Sequence, residues 1–311
     1  MPLDRLTAVP PAGAAVIRDA VATFEAAFPG RVGASYVEGS WADGTMVETS
    51  DLDLVVIFRG ERSASERQQS AALRAACQQR SPLELDLTIL DETALARGVS
   101  PQLKLGAHLV YGDDLCRNLP LIPMPAWTRD RMHTSYWRTV TLFERPVPVR
   151  LPVDYPDPTD AFYGYLRRPT RLPDGTTMPG TRDLVRSVGW MATALIALRA
   201  GQYVVRKQDC PGQYRMSIGD QWTALIGDVA TLCRTTWRYQ IPNTAHDRAR
   251  LRSLCEQTLA FENAFLTTYR AFVIDQLQGG PPADRAHARW VLERLPWTDP
   301  AIEAALRPSH T

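Results

Sequence analysis

No apolar run in the sequence approaches the ~18 residues needed to span a bilayer, which argues against a transmembrane helix. The opening Met1-Pro2-Leu3-Asp4-Arg5 has neither the basic nor the apolar segment of a secretory signal, so a cytoplasmic location is expected. Cysteine is sparse and scattered. Cys77, Cys116, Cys210, Cys233 and Cys255 form no CxxC pair and no Cys/His pair at metal-ligand spacing. That argues against a zinc site or a disulfide framework and for buried, reduced thiols. Lysine is nearly missing: Lys104 and Lys207 are the only two among 35 basic residues, and the Arg and Ala bias reads as a GC-rich genome rather than as chemistry. There is no internal repeat and no low-complexity segment.

What is present is 311 residues of ordinary globular composition, 45% hydrophobic and 22% charged, enough for two cores. The net charge of +1 conceals an uneven distribution. Residues 1–125 carry 11 Arg/Lys against 16 Asp/Glu, residues 129–215 carry 14 against 8, and residues 216–311 balance at 10 each. A part with clustered carboxylates next to a basic part suits a metal site facing an anionic ligand.

Apolar spacing predicts an amphipathic helix over 12–28, closed by Pro29-Gly30. Strand-length apolar runs follow at Val32–Val37, Leu52–Phe58 and Leu83–Leu90, with a helical stretch at Ser63–Gln79 between the last two. This order gives an α/β domain, a small mixed sheet with helices on one face, over residues 1–118. Residues 117–126 hold three prolines and read as a linker. An all-α helical domain is expected over 126–311, with helices near 182–200, 219–238, 245–278 and 283–295 and a loop-rich insertion at 146–181. The last dozen residues are expected to fray.

The segment from Gly39 to Val56 carries the chemistry. Asp51 and Asp53, two apart at the start of a strand, emerge on one face and can chelate the same divalent cations. Gly39 permits close backbone approach, and the Ser40 hydroxyl with neighbouring N–H groups can hold a phosphate. A short helix is expected to begin in Trp41–Thr45, favourable to the same anion. A third carboxylate comes from Glu84 or Asp86, two apart on the next strand. Asp86, in the middle of an apolar strand and costly to bury there, is the favoured one.

A Gly-Ser, ten residues, then Asp-x-Asp leading an apolar strand, with a third acid on a later strand, resembles the polymerase β-like nucleotidyltransferases. Within them the chain is most similar to the aminoglycoside adenylyltransferases that modify streptomycin and spectinomycin. Their third carboxylate sits in a Leu-acid-apolar-Thr-apolar strand, as in Leu85-Asp86-Leu87-Thr88-Ile89, although they carry Glu where this chain has Asp. Gly201–Lys207 resembles their Gly-Lys-x-x-x-Lys turn, and Trp222–Arg234 their following helix that ends in arginine. The resemblance implies transfer of a nucleoside monophosphate, from ATP or another triphosphate, to a hydroxyl of a small acceptor such as an aminoglycoside, with pyrophosphate released. Asp51, Asp53 and Asp86 would hold two Mg²⁺ ions, and Asp86 would take or position the acceptor proton. Gly39, Ser40, Thr45, Ser50, Lys207 and Arg234 would bind the nucleotide, the last two from across an interdomain cleft. Antibiotic resistance would be the consequence.

The acceptor stays open at this point. Asp157, Asp160 and Asp174 in the insertion offer negative charge for a polycationic drug. Arg167, Arg168 and Arg171, with Tyr163 and Tyr165, could instead grip a tRNA 3′ end, and a protein hydroxyl is a further acceptor class. A non-catalytic nucleotide-binding module is the third possibility, against which the three intact acids argue.

Overall fold

A computed structural model describes residue 6, residues 9–171 and residues 176–307. They divide into two compact units, one of the described residues up to Pro123 with Arg171, Thr176–Thr177 and Val204–Lys207, the other of Met124–Thr170, Met178–Tyr203 and the described residues from Gln208 onward.

In the first unit, α1 (Pro11–Ala27) starts with proline, which costs nothing where the N–H has no helical partner, and buries Val16, Ile17, Ala20, Val21 and Phe24 at helical spacing. β1 (Val32–Glu38) runs into the one-turn α2 (Gly39–Ala42), so the short helix begins at Gly39 rather than within Trp41–Thr45. β2 (Leu52–Phe58) follows, then α3 (Ala64–Arg80), opened by a capping box in which Ser63 and Glu66 satisfy each other's backbone N–H groups. β3 (Leu85–Asp91), α4 (Glu92–Leu95), a π-helical turn at Gln102–Gly106 and β4 (His108–Gly112) complete the unit. The sheet order is β3-β2-β1-β4, with β2 and β3 parallel and the other pairs antiparallel. Strand alternation splits the core. Leu52, Leu54, Val56 and Phe58 pack with α1 on one face, whereas Ala34, Tyr36, Val55 and Ile57 face Leu95, Val99, Leu103 and Cys116 on the other. β4 was not expected from the sequence. Of the expected linker, Ile122 donates to the Val99 carbonyl and Val99 to that of Pro120, both at 2.9 Å.

The second unit is helical: α5 (Met124–Thr141), α6 (Arg182–Ala200), α7 (Cys210–Ser217), α8 (Thr223–Asp228) continued by a π-helical stretch at Val229–Thr236, α9 (Ala245–Gly279), α10 (Pro282–Arg294) and α11 (Pro300–Leu306). β5 (Pro169–Arg171) and β6 (Thr177–Pro179) form a two-stranded ribbon in the stretch read as an insertion. Tyr136 stacks on Tyr269 and Trp297, with ring centroids 4.5 and 5.3 Å away, at the centre of the core. Of the last dozen residues, expected to fray, Pro300–Leu306 instead form α11, started by Asp299, which accepts from the N–H groups of Ala301 and Ile302. Residues 308–311 lie outside the described residues. All five cysteines are buried and free, and no described helix is long and apolar enough to cross a membrane.

Candidate active site

Three adjacent strands of the first unit carry a row of acids. Glu38, the last residue of β1, stands opposite Asp53 of β2, and Asp53 stands opposite Asp86 of β3. Because Leu52 and Leu54 face α1, Asp51 and Asp53 face the other way, and Asp86 shares their side by the same alternation in β3. Like charges directly opposite on neighbouring strands destabilise a sheet, so folding does not account for this row. A cation bound between them would. One carboxylate oxygen from each of Asp51, Asp53 and Asp86 lies within 4.8 Å of the others.

The electrostatics agree. Burial, then repulsion by Asp53, raises the Glu38 carboxyl to about 7, with Lys207 pulling the other way. Burial likewise raises Asp53 to about 6, opposed by Lys207 and supported by Asp51 and Asp86. Hard carboxylate oxygens crowded at their own expense are the donor set that magnesium takes, and a divalent ion relieves the repulsion. Gly39 is shaped to the same purpose. Its φ of 66° is left-handed, and a Cβ there would stand 2.4 Å from Asp53 Oδ2, so only glycine lets this carboxylate lie where it does. A pocket lined by Glu38, Gly39, Asp43, Asp53, Gln102 and Lys207 opens at the row.

The other anticipated residues fall as follows. Lys207 belongs to the first unit, not to an opposing one, and its Nζ is 3.4 Å from Asp53 Oδ2. Ser40 is half-buried in α2, and its carbonyl accepts from the N–H of Thr45, which is exposed. Ser50 is buried; its hydroxyl accepts from the Val47 N–H at 2.9 Å and so fixes the turn that delivers Asp51. Asp86, not Glu84, joins the acid cluster, but it is exposed, so the burial argument for choosing it does not hold. Its place in the row is the reason. Arg234 sits half-buried on the π-helical stretch of the second unit. Glu38, Asp43, Gln102 and Arg206 went unnoticed in the sequence; Glu38 was the findable one, as the residue before Gly39-Ser40 on a strand antiparallel to that of Asp53.

The residues weighed for acceptor binding are largely occupied. Asp157 pairs with Arg167 and accepts from the Thr159 N–H and hydroxyl, and Asp160 accepts from the N–H groups of Phe162 and Gly164. Tyr165 is fully buried with its hydroxyl on Glu262 at 2.7 Å, so it stacks no base. Asp174 and the side chain of Arg171 lie outside the described residues.

No curated protein matches the chain. Among solved structures, spectinomycin adenyltransferase AAD(9) from Enterococcus faecialis with ATP and spectinomycin is 13% identical, with a TM-score of 0.45 over 78% of this chain and 98% of that one. A toxin–antitoxin with AMP-PNP is 15% identical, with a TM-score of 0.24 over 40% and 95%. The assignment rests on neither of these but on the family match, in which residues 17–97, from α1 through β3 and α4 with Asp51, Asp53 and Asp86, fit the nucleotidyltransferase domain. The first unit of this protein therefore carries a nucleotidyltransferase domain.

Proposed function

We propose that the protein is a magnesium-dependent nucleotidyltransferase that moves AMP from ATP onto a hydroxyl of a small acceptor of the aminoglycoside type. The observation that carries the reaction class is the convergence of Asp51, Asp53 and Asp86 oxygens within 4.8 Å, in a domain matched by the nucleotidyltransferase family. The acceptor class rests on the sequence resemblance.

In this reading Asp51, Asp53 and Asp86 would hold a divalent metal, which when bound would supply Lewis-acid polarisation and offset phosphate charge. Lys207, whose ammonium lies 3.4 Å from Asp53 Oδ2, pairs with phosphate charge once the nucleotide is bound. Asp86, the most exposed of the three, accepts the proton of the acceptor hydroxyl. The acceptor oxygen bonds to the α-phosphorus as the bond to the bridging oxygen breaks, and that electron pair departs on pyrophosphate.

The test is transfer from each labelled nucleoside triphosphate, with magnesium, to a panel of aminoglycosides and to total tRNA. Label on streptomycin or spectinomycin supports the proposal; label on tRNA and on no drug replaces the acceptor. Asp53→Asn should abolish transfer and leave thermal stability equal or higher, because it removes a carboxylate that burial already pushes towards its neutral form. Full activity in that variant would refute the assignment.

A further inference from the structure

Lys207 owes its position to a four-residue strap. Val204–Lys207 packs with the first unit although its sequence neighbours on both sides belong to the second. Three successive residues of the strap are held. Gln102 Nε2 donates to the Val204 carbonyl at 2.6 Å, with the Val204 side chain buried. Val205 lies against Gly106, where a Cβ would stand 3.3 Å from Val205 Cγ1. Arg206 Nε is 2.9 Å from Asp43 Oδ1, and the Asp43 side chain is only 7% exposed. The next residue is Lys207, whose ammonium stands 3.4 Å from Asp53 Oδ2 on a side chain that is 65% exposed.

These contacts bear on the site through an entropy argument. A lysine head on a flexible four-carbon stem contributes little to anion binding if its backbone also has to be ordered when the ligand arrives. Here the backbone is ordered beforehand. Its anchors come from elements that adjoin the acid row, Asp43 at the end of α2 and Gln102 in the π-helical turn. We infer that Asp43, acting through Arg206, and Gln102, acting through Val204, are positioning residues that clamp the strap and hold the Lys207 ammonium at the carboxylate row for the triphosphate. The purpose of the clamp rests on the nucleotide reading of this site; the clamp itself does not.

The experiment uses the full chain with Arg206→Ala, Arg206→Lys, Gln102→Ala and Asp43→Asn. Amide hydrogen exchange over residues 204–207 and trypsin cleavage after Lys207 are read without nucleotide. Affinity is measured by calorimetry, for inorganic tripolyphosphate and for ATP, each with magnesium, and KM and kcat are measured separately. Arg206→Ala and Gln102→Ala should speed exchange and cleavage and weaken tripolyphosphate binding about tenfold, the scale at which partners behind a binding group are felt. The KM for ATP should rise by more than kcat falls, and Arg206→Lys should rescue most of the loss. Arg206 is half-exposed, so its substitution does not threaten folding. Unchanged exchange in all four variants would remove the clamp. Faster exchange with unchanged phosphate affinity would overturn its purpose. Failure of the wild type to bind either phosphate ligand would overturn the nucleotide reading and that purpose together, and the exchange data would still tell this from a missing clamp.

Discussion

At Gly39 a single hydrogen atom sets the position of a carboxylate. Alanine there would meet Asp53 Oδ2 at 2.4 Å, and the φ of 66° disfavours any side chain. Gly39→Ala should therefore cost about 1–2 kcal/mol of stability for the left-handed backbone, but on the order of 100-fold in transfer, since a displaced ligand misplaces the reacting groups. Calorimetric unfolding and a transfer assay separate the two effects; full activity would show that the carboxylate tolerates displacement. Glu38 makes the complementary case. Burial raises its carboxyl to about 7, so the ionised form is held at a cost in the metal-free protein. Glu38→Gln should leave the metal-free melting temperature equal or higher while weakening magnesium binding, because it removes one charge from the row. A lower melting temperature with unchanged magnesium affinity would make Glu38 a purely structural residue.

Among whole elements, the second unit shows how a buried charge joins separate pieces of chain. Arg145, just after α5, pairs with Glu262 of α9, which also accepts from the Tyr165 hydroxyl at 2.7 Å and from Ser187 of α6 at 3.5 Å. Both charged side chains are at most 4% exposed. Burial raises the Glu262 pKa, and Arg145 and Tyr165 oppose that rise. Arg145→Ala, which leaves the carboxylate buried without its guanidinium, should destabilise the unit by about 3–5 kcal/mol. Adding Glu262→Gln should recover much of that loss in chemical denaturation; strict additivity of the two changes would show that they do not act as a pair. None of this cluster was legible in the sequence, because its members lie far apart along the chain. By contrast β1, β2, α6 and α9 could be read closely, since alternation and helical spacing are local signals. β4 is five residues long and carries too little pattern to register. α5 begins among prolines that suggest a linker, yet proline is at home in a first helical turn. Of the site, Asp51, Asp53 and Gly39 could be read from spacing alone. The strap anchors Asp43 and Gln102 could not, because no local pattern links them to residues about 100 or more positions later.

For the molecule as a whole, stability should depend on pH through a histidine remote from the acid row. His133 of α5 is buried, hydrogen-bonded at 2.8 Å to both the Tyr269 hydroxyl and Gln276 Oε1. Burial, helped by the neighbouring His287 and Arg129, lowers its pKa from 6.5 to about 4, with Gln276 and Asp130 opposing. The folded protein thus keeps this ring neutral over a range in which the unfolded chain protonates it. No penalty exists above pH 6.5, where both states are neutral; it grows as pH falls below 6.5 and is complete near pH 4. For a pKa displaced that far it amounts to roughly 3 kcal/mol. In metal-free protein Glu38 and Asp53 act in the opposite sense, taking up protons in the folded state first, so the wild-type curve alone does not isolate His133. The difference between wild type and His133→Gln does. Wild-type stability should fall relative to the variant by about that amount between pH 6.5 and 4, measured by denaturant unfolding of the helical unit. A difference that stays flat across this range would mean that His133 titrates no differently in the folded and unfolded chains.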